Sequence, residues 1–209
     1  MFNRIRIAVA LFILPLTLAA CGNGGNSTSS SRSTVVATVR ADNSYAHVFP
    51  EVAKLLSSPV VGAVVEGKIT DIQYKFVDQL VPETVMTLQV EQARGDVPKT
   101  VQAYEFGGLI PVSAHSAGDR ARFGADVPAD GLVDYAPVGG AKPPVLGQQV
   151  VLALLPYSGG GPVPGAFSVL DDAFGRFVRT DDGDYERAGT EPGYDRVLTQ
   201  TALNAVFLK

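Results

Sequence analysis

The chain has 209 residues, 46% hydrophobic and 18% charged, with a formal net charge of −4. That is enough apolar sequence for one compact core, while the acidic balance and the lack of any basic tract exclude nucleic acid and an electrostatic grip on anionic lipid. With one cysteine in the whole sequence, an internal disulfide is excluded as well.

Residues 1–20 have the three parts of an export signal: Arg4 and Arg6, an apolar stretch from Ile7 to Leu18, then the small residues Ala19 and Ala20. As a membrane span the segment Ile7 to Ala20 is only 14 residues long and is interrupted by Pro15, whereas crossing a bilayer takes about 20. Residues 1–20 therefore read as a signal peptide. The run Leu18-Ala19-Ala20-Cys21 resembles the lipobox of bacterial lipoproteins. That resemblance implies cleavage between Ala20 and Cys21, a diacylglyceryl group on the Cys21 sulfur, and a chain held at the extracytoplasmic face of the cell membrane. Two acyl chains meet the requirement for durable anchoring, which one chain alone does not. Removing Arg4 and Arg6 with no acidic residue takes the charge to −6. With Cys21 consumed, the folded part has no thiolate nucleophile and no cysteine metal ligand.

Gly22 to Ser33 contains only small polar residues and one arginine. Residues 21–33 are thus expected to be a lipidated cysteine and flexible tether, a dozen such residues reaching about 20 Å. Residues 34–209 are expected to form a single β-rich extracytoplasmic domain of ordinary size.

Strand patterns dominate that domain. Thr34 to Val39 is β-branched; Val60 to Val77 is long and punctuated by Gly62 and Gly67, as in a bent or bulged strand. Thr84 to Glu91 alternates, Met86, Leu88 and Val90 against Thr87, Gln89 and Glu91, so it has one wet face. Beyond the Gly95-Asp96 turn, Lys99 to Phe106 is its hairpin partner, ending at Gly107-Gly108. Gln148 to Leu155 is almost wholly apolar, as in a central strand, and Ala166 to Leu170, Gly175 to Thr180 and Asp184 to Glu186 follow, the last after an Asp182-Gly183 turn.

Helix is minor. Val48, Val52, Leu55 and Leu56 lie on one helical face, so residues 49–58 predict a short helix stopped by Pro59. Residues 196–208 fit a second helix through Leu198, Ala202, Ala205 and Val206, although Leu203, Ala205 and Phe207 also alternate. Residues 110–146 show neither period and are rich in Gly, Pro, Ala and Asp, which predicts a long loop, either functional or a disordered insertion.

The expected fold is mainly β: a small OB-like, closed or partly open antiparallel barrel with one or two short helices. The order of Val64 to Tyr74, Thr84 to Asp96, Gly107-Gly108, Leu146 to Leu155 and Asp172 to Phe177 resembles that of uncharacterised bacterial surface lipoproteins with an OB-like barrel. The resemblance implies a fold and a compartment, and brings no assigned activity with it.

Candidate chemistry is sparse. Gly62-Ala-Val-Val-Glu-Gly67-Lys68 has the spacing of a phosphate loop, but Ile69 stands where a hydroxyl must hold magnesium. Arg94-Gly95-Asp96 spells an adhesion tripeptide in the place where a hairpin turn is required. The two histidines, His47 and His115, have no metal-ligand spacing, and the serines around His115, Ser113 and Ser116, lack an orienting carboxylate and a nucleophile elbow. Asp171-Asp172 and Asp181 to Asp184 supply oxygens for calcium without the EF-hand pattern. Tyr74, Tyr104, Tyr135 and Tyr157 are either stacking platforms for a ligand or packing at barrel edges. The expectation is a non-enzymatic protein-interaction module docking an envelope protein, with no cofactor, no metal and no catalytic residue. A small-ligand or oligosaccharide-binding barrel is the alternative, and an exported hydrolase a third reading.

Overall fold

The computed structural model describes residues 34–40, 49–77, 81–124, 126–136, 141–158, 161–189 and 193–208. Ala20, Cys21, the tether and His47 lie outside the described residues.

Two sheets make the domain. The larger has eight strands: β2 (Ala63–Val77), β3 (Val81–Arg94), β4 (Thr100–Phe106), β7 (Gln149–Leu154), β8 (Phe167–Ser168), β9 (Arg176–Arg179), β10 (Tyr185–Arg187) and β11 (Val197–Leu198). They lie in the order β11-β10-β9-β7-β2-β3-β4-β8 and curl into a half-barrel that stays open between β11 and β8. The smaller sheet has the order β1-β6-β5, from β1 (Val35–Arg40), β5 (Gly108–Pro111) and β6 (Leu132–Ala136). The fold is thus mainly β, and the large sheet is antiparallel except where β8 runs parallel to β4; β1 and β6 are also parallel.

β2 and β3 pair along their whole length, with register shifts at Glu66/Gly67 and at Ile69/Asp71. Those bulges bend the sheet, and the first explains Gly67: a Cβ there would sit 2.4 Å from the Gln89 carbonyl oxygen. β7 lies between β2 and β9 and is buried on both faces, which is why it is apolar at nearly every position.

Each face of the sheet has its own core. On the outer face Val64, Val151, Ala153, Phe177 and Tyr185 pack under α1 (Val52–Ser57), which contributes Val52, Leu55 and Leu56, and α3 (Gln200–Phe207), which contributes Leu203. On the inner face Val65, Ile69, Met86, Leu88, Val101, Ala103, Val150, Leu152 and Leu154 fill the curl. Of the two readings of 196–208 the helix holds over 200–207, where Leu203, Ala205 and Phe207 lie, so their alternation marks no strand; the first residues are instead a short strand. Val197–Leu198 is strand, paired with β10, and the helix begins only after Thr199, whose hydroxyl accepts from the Ala202 amide at 3.2 Å.

The long loop expected over 110–146 is corrected. It contains the end of β5, a 3-10 turn (Val112–Ala114), α2 (Ala117–Phe123) and β6. α2 buries none of its residues, so it has no apolar stripe to read, and Ser116 and Gly124 define its ends. β6 is five residues long and is held by backbone pairing to two strands distant in sequence.

Candidate functional site

The unusual chemistry lies where the half-barrel meets the small sheet. Period-2 alternation puts Glu105 on the same inward face of β4 as Val101 and Ala103. Arg176, which faces Leu152 across the β7/β9 pair, also points inward. The two therefore meet inside the curl, across the intervening strands β7, β2 and β3. Arg176 Nε donates to Glu105 Oε2 at 2.9 Å and Nη2 to Oε1 at 3.0 Å, while Nη2 also donates to the Lys142 carbonyl at 2.6 Å. The side chains are only 1% and 5% exposed. This bidentate pair ties the two limbs of an open sheet together from within.

Beside it lies a crevice lined by Glu105, Phe106, Asp134, Tyr135, Lys142 and Arg176, with room for about 10 Å³. That is about the space of one water molecule. Arg176 Nη1 is buried there without a partner, and burial raises the Asp134 carboxyl above its ordinary range.

β4 turns into β5 through Gly107 and Gly108, both at positive φ. The Thr84 hydroxyl donates to the Gly107 carbonyl at 2.6 Å, and a Cβ on Gly108 would lie 2.0 Å from the Thr84 hydroxyl oxygen. The corner thus needs glycine twice over, for conformation and for space.

On the edge of β4 sits the turn from Leu170 to Gly175. Asp171 and Asp172 both adopt left-handed backbone, φ 48° and 54°, a region that aspartate tolerates better than most residues. Asp172 Oδ1 accepts from the Phe106 amide at 3.0 Å. Burial drives the Asp172 carboxyl up to about 6; the Phe106 hydrogen bond opposes this, and Glu105 and Asp171 add to it. Glu83, opposite Phe106 on β3, is raised to about 7, first by burial and then by Asp172. Its Oε2 is buried without a hydrogen-bond partner.

The outer core has two polar inclusions. The Tyr185 hydroxyl donates to Glu66 Oε1, and its acidity is lowered by burial first and then by that carboxylate. Arg187 donates through Nη1 to the Phe49 carbonyl at 3.0 Å and lies between the Phe177 and Tyr194 rings, 5.4 and 5.3 Å from their centroids.

Most motifs singled out in the sequence resolve into structure. Gly67 and Lys68 are inside β2, so the phosphate-loop spacing is a bulged strand. Arg94-Gly95-Asp96 is the end of β3 and its turn, with Gly95 at φ 103°. His115 is buried rather than on a free loop: one ring nitrogen is 2.9 Å from the Pro111 carbonyl and the other 2.9 Å from the Tyr135 hydroxyl, with Phe76 and Phe123 packed edge-on. Ser116 caps α2 instead of meeting that ring. Asp181 to Asp184 form the β9–β10 turn, in which Asp184 also accepts from the Gln200 amide at 2.9 Å and so steadies α3. Among the described residues no group of three or more His, Cys, Asp or Glu is placed to hold a metal ion. Tyr74 packs against Gly108 and Tyr104 against Gly161, both half-buried; Tyr157 is exposed and accepts from the Gly165 amide.

No family model, curated protein or solved structure matches the chain. Its chemistry has to be read from its own residues.

Glu105, Arg176, Glu83 and Asp172 were not singled out from sequence as a group. One signal for Glu105 was present: it occupies the apolar phase of Thr100–Phe106, where a charge must be buried and therefore paired. Nothing in the sequence pointed to Arg176, 71 residues away, as its partner.

Proposed function

We propose that this chain is a lipid-anchored extracytoplasmic lipoprotein, held at the membrane through Cys21, whose β domain is a non-enzymatic module for docking another envelope protein. The observation that carries the reading is the filled interior of the half-barrel. Inner-face side chains and the Arg176–Glu105 pair occupy it, and the crevice beside that pair has room for about 10 Å³, whereas pockets for small molecules run to about 300–1,000 Å³. Recognition by the outer surface fits such a domain better than uptake of a metabolite or oligosaccharide into the curl. Exposed α2 and the β1-β6-β5 sheet offer that surface, since binding residues concentrate on segments carried by a rigid scaffold. Among the described residues no helix is long and apolar enough to cross a membrane, so attachment in this reading rests on the lipid.

The test is in-cell crosslinking of the full chain, followed by identification of what co-purifies. A control carries charge reversals at the exposed Arg120 and Arg122 of α2. Deleting 111–146 would remove β6 and with it the pairing of β1 and β5, so substitution is the sound perturbation. Capture of one protein, lost in the reversal variant, is the expected result; capture of none refutes the reading.

A further inference from the structure

Two carboxyls withdrawn from water lie beside one residue, Phe106. On one side Glu83 faces it across the β3/β4 pair; on the other its amide donates to Asp172 at 3.0 Å. The charged and titratable groups around the two carboxyls are Lys75 of β2, opposite Glu83 in register, Tyr104 and Glu105 of β4, Asp171 of the turn, Arg176 at the start of β9, and Arg187 of β10, which lies near Asp171. Of the three cations, Arg176 commits its Nε and Nη2 to Glu105, Arg187 lies over the Phe177 and Tyr194 rings, and Lys75 is exposed to solvent. Glu83 Oε2 is buried with no donor. The turn that brings Asp172 to this place holds two consecutive aspartates in left-handed backbone, and its last residue, Gly175, is so close to the Leu170 carbonyl that a Cβ would lie 2.3 Å from it. It is a tight segment seated on β4 beside like charges.

We propose that this corner is a proton-operated latch, in which a proton carried by Glu83 beside Asp172 keeps the 170–175 turn seated on β4 and loss of that proton loosens the turn. Two nearby carboxyls withdrawn from water do not both ionise without cost, and the ordinary values of 4.5 and 3.8 are displaced to about 7 for Glu83 and about 6 for Asp172. The folded state therefore holds protons that the unlatched state releases, so the seated form is favoured at mildly acidic pH and loses that advantage as pH rises through about 7. Because the turn leads directly into Arg176, unseating it also moves one end of the Arg176–Glu105 pair. The latch stands independently of which partner the domain docks.

The test uses the full-length protein in detergent, with two readouts. The first is the side-chain carboxyl ¹³C shift of Glu83 against pH, in the wild type and in Asp172→Asn. Asparagine tolerates left-handed backbone and its amide oxygen still accepts from Phe106. The wild-type midpoint is expected near neutrality and the Asp172→Asn midpoint lower. The second is amide exchange at Phe106, corrected for its intrinsic rate. Wild-type protection should fall by about tenfold between mildly acidic and mildly alkaline pH, a figure already discounted for partial exposure of Glu83, and should stay flat in Glu83→Gln. A Glu83 midpoint in the ordinary carboxylate range overturns the latch, and so does an equal loss of protection in Glu83→Gln. If that variant does not fold, the wild-type ¹³C titration decides alone.

Discussion

Removing one member of the Arg176–Glu105 pair should cost far more than removing both. In Glu105→Ala the Arg176 guanidinium remains 1% exposed, keeps only its bond to the Lys142 carbonyl, and already has one nitrogen without a partner. Stranding a buried charge in this way costs about 3–5 kcal/mol. For a domain of this size each kcal/mol lowers Tm by about 2–4 °C, so the drop should be about 6–20 °C. Glu105→Gln keeps the shape and accepts from a single N–H, so about 1–3 kcal/mol is expected. The double variant Glu105→Leu, Arg176→Met exchanges the pair for apolar volume and leaves only the Lys142 carbonyl short of a donor. It should be more stable than Glu105→Ala, with a coupling energy of about 0.5–3 kcal/mol. Urea unfolding of wild type, Glu105→Leu, Arg176→Met and the double variant, compared at constant m-value, measures the cycle, with Glu105→Ala and Glu105→Gln alongside. Additive losses, or a Glu105→Ala variant within about 0.5 kcal/mol of wild type, would show that the pair does not tie the half-barrel together.

Gly67→Ala should destabilise by about 1–3 kcal/mol, because the new methyl meets the backbone oxygen of Gln89 at 2.4 Å and no side chain can move to relieve it; thermal unfolding checks this, and an unchanged Tm would mean the bulge opens freely. Cys21→Ser should abolish acylation and shift the protein out of the membrane fraction, as read by metabolic labelling with a fatty acid and by fractionation; acylation that survives the substitution would remove the anchor reading. Glu83→Gln should gain stability over wild type as pH rises through about 7, since wild type must then ionise a carboxyl held at about 7; with partial exposure discounted, the difference between mildly acidic and mildly alkaline pH should be about 1–2 kcal/mol. Parallel denaturation curves at the two pH values measure it, and a constant difference would contradict the sign.

Local physics made much of this domain legible. β2, β3 and β4 carry their periods openly because each has one core face for most of its length, and β7 reads as a central strand because both its faces are buried. α1 shows its stripe in Val52, Leu55 and Leu56, and Gly67 and Gly95 stand where a bulge and a turn require them. β5, β6 and α2 stayed hidden: two are short strands held by backbone bonds to distant partners, and the third is a helix with no buried face, so none has a pattern of its own. Whether the sheet closed or stayed open depended on pairings among residues far apart, which hydrophobic periodicity does not encode. The same holds for the candidate site. Glu105 falls in the apolar phase of β4, but its partner, 71 residues on, and the approach of Asp172 to Phe106 exist only once the curl brings β9 and the 170–175 turn to β4, because burial and charge proximity are properties of the assembled fold.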